Sequence, residues 1–183
     1  MERSEALKLI EENVKNKNLV RHMLAVEAIM RGLATFLGED EAFWGLTGLL
    51  HDVDFEKTSS NPAEHGILAG KILKGKIDEK VLKAIKAHNF DHTGVKPESK
   101  MEKALIAADS VSGLIVACAL VMPSRKLSEV KLKTLKKKFK DKDFARGSNR
   151  DRILMCEAIG IPKDKFLEIA LESLKGIGSE LNL

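Results

Sequence analysis

The chain has 183 residues, 44% of them hydrophobic, with seven Phe, one Trp and no Tyr. That suffices for one domain with a core of Leu, Ile, Ala and Val, while four Pro and 13 Gly are too few for a turn-rich all-β protein. The net charge of +4 is uneven: residues 125–152 hold 12 Lys and Arg against four Asp and Glu, so the remainder is mildly acidic.

The opening, MERSEALKLIEENVKNK, is charged throughout and does not read as a signal peptide, so the cytoplasm is the expected compartment. Residues 4–14 read as a short helix. Asn18 is the expected cap of a strong helix in which Leu19, Met23, Val26, Ile29, Met30, Leu33 and Leu37 recur at three- and four-residue steps, with Gly38 at its end. His22 stands one turn before Val26 and can face inward. Asp40 caps the next helix, which runs into Leu49-Leu50-His51-Asp52.

Residues 53–61 (VDFEKTSSN) read as a polar loop in which Asp54 and Glu56 are solvated. Asn61-Pro62 is a helix start, which puts His65 in a first turn on the side of Ala69 and Ile72. Asp78 caps a helix ending in His88. A second loop holds His92, read as a surface residue. Ser99 opens a long apolar helix carrying Asp109. Residues 104–122 approach the length of a membrane span, but an aspartate at that depth is costly, so a buried central helix is the better reading. Ser128 is the expected cap of the basic helix EVKLKTLKKKFK. A loop and a helix from about 149 to 160 follow, and Pro162 starts the last helix. No period-2 run marks a strand. Cys118 and Cys156 lie in apolar helical stretches without CxxC spacing and read as free thiols. The expectation is an all-α domain of about eight or nine helices spanning 1–183, with a core at about 18–122 and basic and C-terminal helices at 123–183.

One stretch carries chemistry. In Trp44-Gly-Leu-Thr-Gly-Leu-Leu-His51-Asp52 an imidazole and a carboxylate sit at the end of an apolar run. Burying them unpaired is costly, and metal coordination is one way to meet that cost. His22, His65, His88 and Asp109 can complete such a site. They stand on separate predicted helices, with no local pair such as H-x-x-x-H, so tertiary packing must assemble them. With no Cys in the set, one or two divalent ions (Fe, Mn, Mg, Co, Ni or Zn) in a hydrolytic role are favoured over a structural zinc.

The pattern Arg21-His22, Leu49-Leu50-His51-Asp52, Ala63-Glu64-His65-Gly66, Ala87-His88-Asn89 and Ala107-Ala108-Asp109 resembles the HD superfamily of metal-dependent phosphohydrolases. The resemblance implies an HD-domain helical bundle and a first metal held by His22, His51, Asp52 and Asp109. His65 and His88 are similar to the extra histidines of the two-metal variant, as in the HD-GYP phosphodiesterases and symmetrical dinucleoside-tetraphosphate hydrolases. No Gly-Tyr-Pro follows the second region, so a cyclic dinucleotide is not implied.

The reaction expected is attack on phosphorus by a metal-activated hydroxide, in a phosphomonoesterase or phosphodiesterase acting on a small phosphorylated molecule, with a nucleotide expected. Asp52 is the natural bridge. Lys57, in the loop after it, is the first candidate to hold a phosphoryl oxygen, and Lys137, Lys138, Lys142, Arg146 and Arg150 form a second group that would bind substrate. A reading from another class is a metal- or nucleotide-binding regulatory module with little turnover. Nucleic-acid binding through residues 125–152 is a third; only Phe139 and Phe144 interleave its cations, and it is not expected.

Overall fold

In a computed structural model covering residues 1–183, the chain is built of helices alone. They are α1 (Arg3–Asn13), α2 (Lys17–Leu37), α3 (Glu41–Leu50), α4 (Phe55–Thr58), α5 (Ile67–Leu73), α6 (Glu79–His88), α7 (Phe90–Thr93), α8 (Lys100–Leu120), α9 (Leu132–Lys140), α10 (Arg150–Ile153), α11 (Lys163–Gly176) and α12 (Gly178–Leu181). Four of these, α4, α7, α10 and α12, are single turns of four residues; the other eight match the number expected from periodicity.

Helix starts follow the capping chemistry of short polar side chains. Asp40 accepts from the Phe43 amide and Asp78 from the Lys80 amide. Ser99 and Glu102 form a reciprocal capping box at the head of α8. Three starts differ from the sequence expectation. Asn16, not Asn18, caps α2, accepting from the amides of Asn18 and Leu19. The Pro62–Glu64 segment is only a 3-10 turn, and α5 begins at Ile67, so His65 sits in extended backbone rather than in a first helical turn. Ser128 lies in a 3-10 turn at Leu127–Glu129, and the basic helix α9 begins at Leu132 without a side-chain cap.

The apolar residues gather in two clusters. The larger holds 31 buried residues, mainly from α2, α8, α11 and the 153–161 segment, and includes Phe166, Leu105 and Ile29. The smaller holds 13, from α1, α2, α3, α5 and α6 with Val53. Helix α8 has the length and composition of a membrane span, yet it is the central helix of this domain, packed against α2, α3, α6, α9, α10 and α11. Cys118 and Cys156 are free and buried, and burial pushes their thiols up to about 11 and about 12. Helix α2 feeds both clusters, giving Met23 to the smaller and Val26, Ile29, Met30 and Leu33 to the larger. His22 precedes Met23, His51 follows Leu49 and Leu50 of the smaller cluster, and Asp109 follows Ala108 of the larger. The polar residues singled out by sequence thus stand at the seam between the two apolar bodies.

Candidate metal centre

Two glycines set the backbone framework of the site. A Cβ on Gly48 of α3 would stand 2.8 Å from the Val26 carbonyl oxygen and 3.0 Å from Glu27 Cα, so only glycine lets α3 lie this close to α2. That approach brings His22 Nε2, on α2, to 3.2 Å from His51 Nε2, at the end of α3. Gly66 has φ +85 and its Cβ would meet the Ile85 carbonyl at 3.2 Å. The turn it makes seats His65 against His88, with Nε2 atoms 2.9 Å apart.

Asp52 lies between the two histidine pairs. Its Oδ2 is 3.5 Å from His22 Nε2; its Oδ1 is 3.4 Å from His51 Nε2, 3.2 Å from His65 Nε2 and 3.6 Å from His88 Nε2. Asp109 Oδ1 is 3.1 Å from His22 Nε2 and 3.8 Å from His51 Nε2. Two groups with metal-ligand spacing result, His22–His51–Asp52 and Asp52–His65–His88, with Asp52 common to both. His51, Asp52, His65 and His88 are buried, whereas about a quarter of the His22 and Asp109 side chains is exposed, so the cluster opens along that edge.

The opposite nitrogen of every ring is committed. His51 Nδ1 donates to the Gly48 carbonyl at 2.8 Å, and His88 Nδ1 to the Ile85 carbonyl. His65 Nδ1 donates to Asp54 Oδ1 at 2.9 Å. Ser112 Oγ gives its proton to the Asp109 carbonyl and so accepts from His22 Nδ1 at 3.2 Å. With the proton held at Nδ1, each neutral imidazole aims its Nε2 lone pair into the cluster, which is the tautomer a metal site requires. Lone pairs 2.9 and 3.2 Å apart repel unless a cation or a proton lies between them.

The protonation behaviour points the same way. Burial works against a charged imidazole, but the hydrogen bonds and charges of Asp52 and Asp54 outweigh it and raise His65 to about 9. His22 is also raised, burial being overcome by Asp109 and Asp52. His51, fully enclosed, is lowered to about 4 because desolvation outweighs its carboxylate neighbours. Burial acts to raise both carboxyls, yet the surrounding imidazoles hold Asp109 below, and Asp52 well below, the usual carboxylate range. The pocket draws in positive charge.

All six candidate ligands are therefore brought together. The cation candidates are not. Lys57 Nζ donates to Asn13 Oδ1 at 2.7 Å and lies among the residues of α1 and α4. Lys137, Lys142 and Arg146 are exposed, and Lys138 pairs with Asp141 while resting on the Phe144 ring. Arg150 is committed elsewhere: its guanidinium donates to the carbonyls of Lys138, Phe139, Asp141, Phe144, Ala145 and Ser148. None of the six lines a cavity at the cluster.

Asp54 corrects another expectation. It is wholly buried, and besides holding His65 it accepts from the amides of Gly66 and Ala69, both at 2.8 Å. Glu56 is exposed but accepts from the amides of Lys15 and Asn16 just ahead of α2. The residue that sequence reasoning missed is Arg152. It bonds Asp91 at 2.7 Å, reaches the His88 carbonyl, lies over the Phe90 ring and stands at the open edge of the cluster. His92 also reaches this edge, its Nδ1 held by Asn89 Oδ1 at 3.0 Å.

Comparison with known proteins agrees in part of the chain. A family model described as "HD domain" matches residues 19–114, from α2 into α8. Ribonuclease Y of Oleidesulfovibrio alaskensis is 30% identical over 99 residues, which is 54% of this chain but 18% of that protein. The chain thus spans less than a fifth of that relative's length. No solved structure gives a match.

Proposed function

The chain belongs to the HD domain family, and from that premise we propose that it is a metal-dependent phosphohydrolase acting on a small phosphorylated molecule, with a nucleotide as the preferred class. The observation that carries the proposal is the convergence of four imidazole Nε2 atoms on Asp52 while all four Nδ1 atoms are held by acceptors. This donor set fits a divalent cation, and its shared carboxylate fits two. His22, His51, Asp52 and Asp109 would hold one ion, and Asp52, His65 and His88 a second.

A divalent ion bound there supplies Lewis acidity, lowering the pKa of water and neutralising charge on phosphoryl oxygens. The protein's own part is orientation. Asp54 fixes the tautomer and tilt of His65, Ser112 does so for His22, and the Gly48 and Ile85 carbonyls do so for His51 and His88. Arg152, whose Nη2 is already steadied by Asp91, presents a fixed cation beside the open edge, where a phosphate oxygen would lie. His51 and Asp52 are shielded from bulk water, which strengthens each electrostatic contact.

A ribonucleic-acid substrate is the second reading, favoured by the name of the relative that matches over residues of this domain. The deciding experiment is metal analysis of protein purified without chelator, with a hydrolysis screen that follows product formation from nucleotides, dinucleotides and RNA in Mn, Mg, Co and Fe(II). One or two bound ions and turnover that vanishes in Asp109→Ala support the proposal. Protein that binds no divalent ion and turns over no phosphate ester overturns it.

A further inference from the structure

Two cavities meet at the exposed edge of the cluster. One, of about 620 Å³, runs along α8 beneath the 145–149 loop, over Ser110, Gly113, Ala117, Gly147 and Ser148. The other, of about 530 Å³, is lined beyond that edge by a different set of residues, among them Leu19, Phe55, Pro62 and His92. They share three residues: His22, Asp109 and Arg152. Each volume lies within the range of roughly 300–1,000 Å³ that small-molecule sites occupy. On the reading that this centre hydrolyses phosphate esters, we propose that its substrate is a phosphodiester, lying across the His22–Asp109 edge with one organic group in each cavity.

The argument is one of shape and charge together. A monoester has one organic group and leaves one cavity unfilled. A diester has two, diverging from phosphorus as the cavities diverge from the shared edge. The two walls differ in chemistry. The second cavity offers an exposed Phe55 ring, set edge-on to His65 with centroids 5.2 Å apart, and Pro62, which suit a planar apolar group. The first offers hydroxyls, an amide and glycine backbone, which suit a polyol such as a sugar.

Charge separates a diester from a polyphosphate. Arg152 is the single Lys or Arg lining either cavity, and it is already paired with Asp91. A diester carries one negative charge, whereas a monoester carries about −1.5 to −2 at neutral pH and a polyphosphate more. Ions held by the cluster would meet the charge at the scissile phosphorus of any of these esters; beyond them the protein adds only this paired cation, although 11 others stand in the 125–152 segment, so the further charge of a polyphosphate would go unmet.

The first cavity is also built rather than incidental. Arg150 holds the 145–149 loop through the Ala145 and Ser148 carbonyls at 2.9 and 2.6 Å, and Ala145 is kept at φ 49, a left-handed conformation that a residue with a Cβ disfavours. In the reaction, water's oxygen joins phosphorus and one ester oxygen departs with a proton. A monoester is left in one cavity and an alcohol in the other.

The test uses the full chain loaded with Mn, and compares a dinucleoside monophosphate with the matching nucleoside monophosphates. The expected result is a kcat/KM at least tenfold higher for the diester. Ala117→Phe, which fills the first cavity, should bring the two values within threefold while metal content is retained. Gly147→Phe is the second variant should Ala117→Phe misfold, because a Cβ at Gly147 meets nothing within 4 Å. Monoester hydrolysis equal to or faster than diester hydrolysis overturns the proposal, as does a diester preference that survives in both filled variants. Should loaded protein hydrolyse neither, the phosphohydrolase reading falls, and equilibrium binding then decides the shape argument alone. Tighter binding of the diester, lost in the filled variants, upholds it, and equal binding of both ligands overturns it.

Discussion

The metal cluster and the basic segment are both dense in ionisable side chains, yet they are built on opposite terms. In the cluster, six side chains from α2, the α3–α4 turn, the Pro62–Gly66 segment, α6 and α8 point at one another, and each ring is fixed from behind. In residues 125–152 the cations point outward or to a neighbour, as Lys138 does to Asp141, Arg146 to Asp143 and Lys136 to Asp164. A buried imidazole or carboxylate has few ways to be satisfied, so its presence in an apolar run is informative. A lysine on a helix face is satisfied by water, so a run of them says little about a ligand. Two exceptions prove useful: Arg150, which turns inward to build a wall, and Arg152, which reaches across to the cluster.

Substitutions can break this contrast, and the largest effect falls on the shared carboxylate. Asp52→Ala should leave dialysed protein with almost no bound metal and no hydrolysis; a full metal complement would dissolve the contrast altogether. Asp54→Asn is next, since it weakens the support of His65 and leaves the fold-bearing amides of Gly66 and Ala69 a poorer acceptor. Loss of roughly 10- to 100-fold in affinity for the ion at His65 and His88 is expected, read by metal titration, with the first ion's affinity changed far less.

Protons compete for the same positions. In the metal-free protein His65 is raised from 6.5 to about 9, so its stabilising contribution is full below pH 6.5 and is lost as pH rises through about 9. Binding an ion at His65 must expel that proton. Affinity there should therefore climb by about tenfold per pH unit up to about 9, with proton release detectable by calorimetry in two buffers. A pH-independent affinity over that range would show that His65 is not a ligand.

The basic segment supplies the smaller effects. Arg150→Met removes the donor to six carbonyls and should cost about 2 kcal/mol, or about 4–8 °C in Tm by calorimetry, with metal content intact. Lys137→Ala with Lys142→Ala and Arg146→Ala should change stability by less than about 0.5 kcal/mol and kcat/KM by less than threefold. A tenfold loss of activity in that triple variant would return these cations to the substrate.

Much of this contrast was legible in the sequence. His51-Asp52 at the end of an apolar helix, His22 beside the stripe of α2 and Asp109 inside α8 stood out because each is a polar group where burial is otherwise apolar. Asp40, Asp78 and Ser99 marked helix starts because capping is local chemistry. Three things were hidden. Asp54 sits in VDFEKTSSN, where nothing local separates a buried carboxylate from a solvated one. His65 was given a helical turn by Asn61-Pro62, but Gly66 at φ +85 breaks the chain there, and its need for glycine arises from Ile85 of another helix. Arg152 is one of 12 cations in its segment, and only the packing of α10 on α8 sets it apart.

The seam between the two apolar clusters has a consequence for how the molecule comes apart. Its centre is occupied by groups that repel or strand charge when no cation is present, and the layer of α1, α3, α5 and α6 is the smaller of the two bodies it joins. Ions that bind only the closed arrangement act as a ligand of the native state, adding RT ln(1 + [M]/Kd) to its stability. Amide exchange in that thinner layer should then track free metal concentration, so that the lifetime of the closed chain becomes a readout of metal supply.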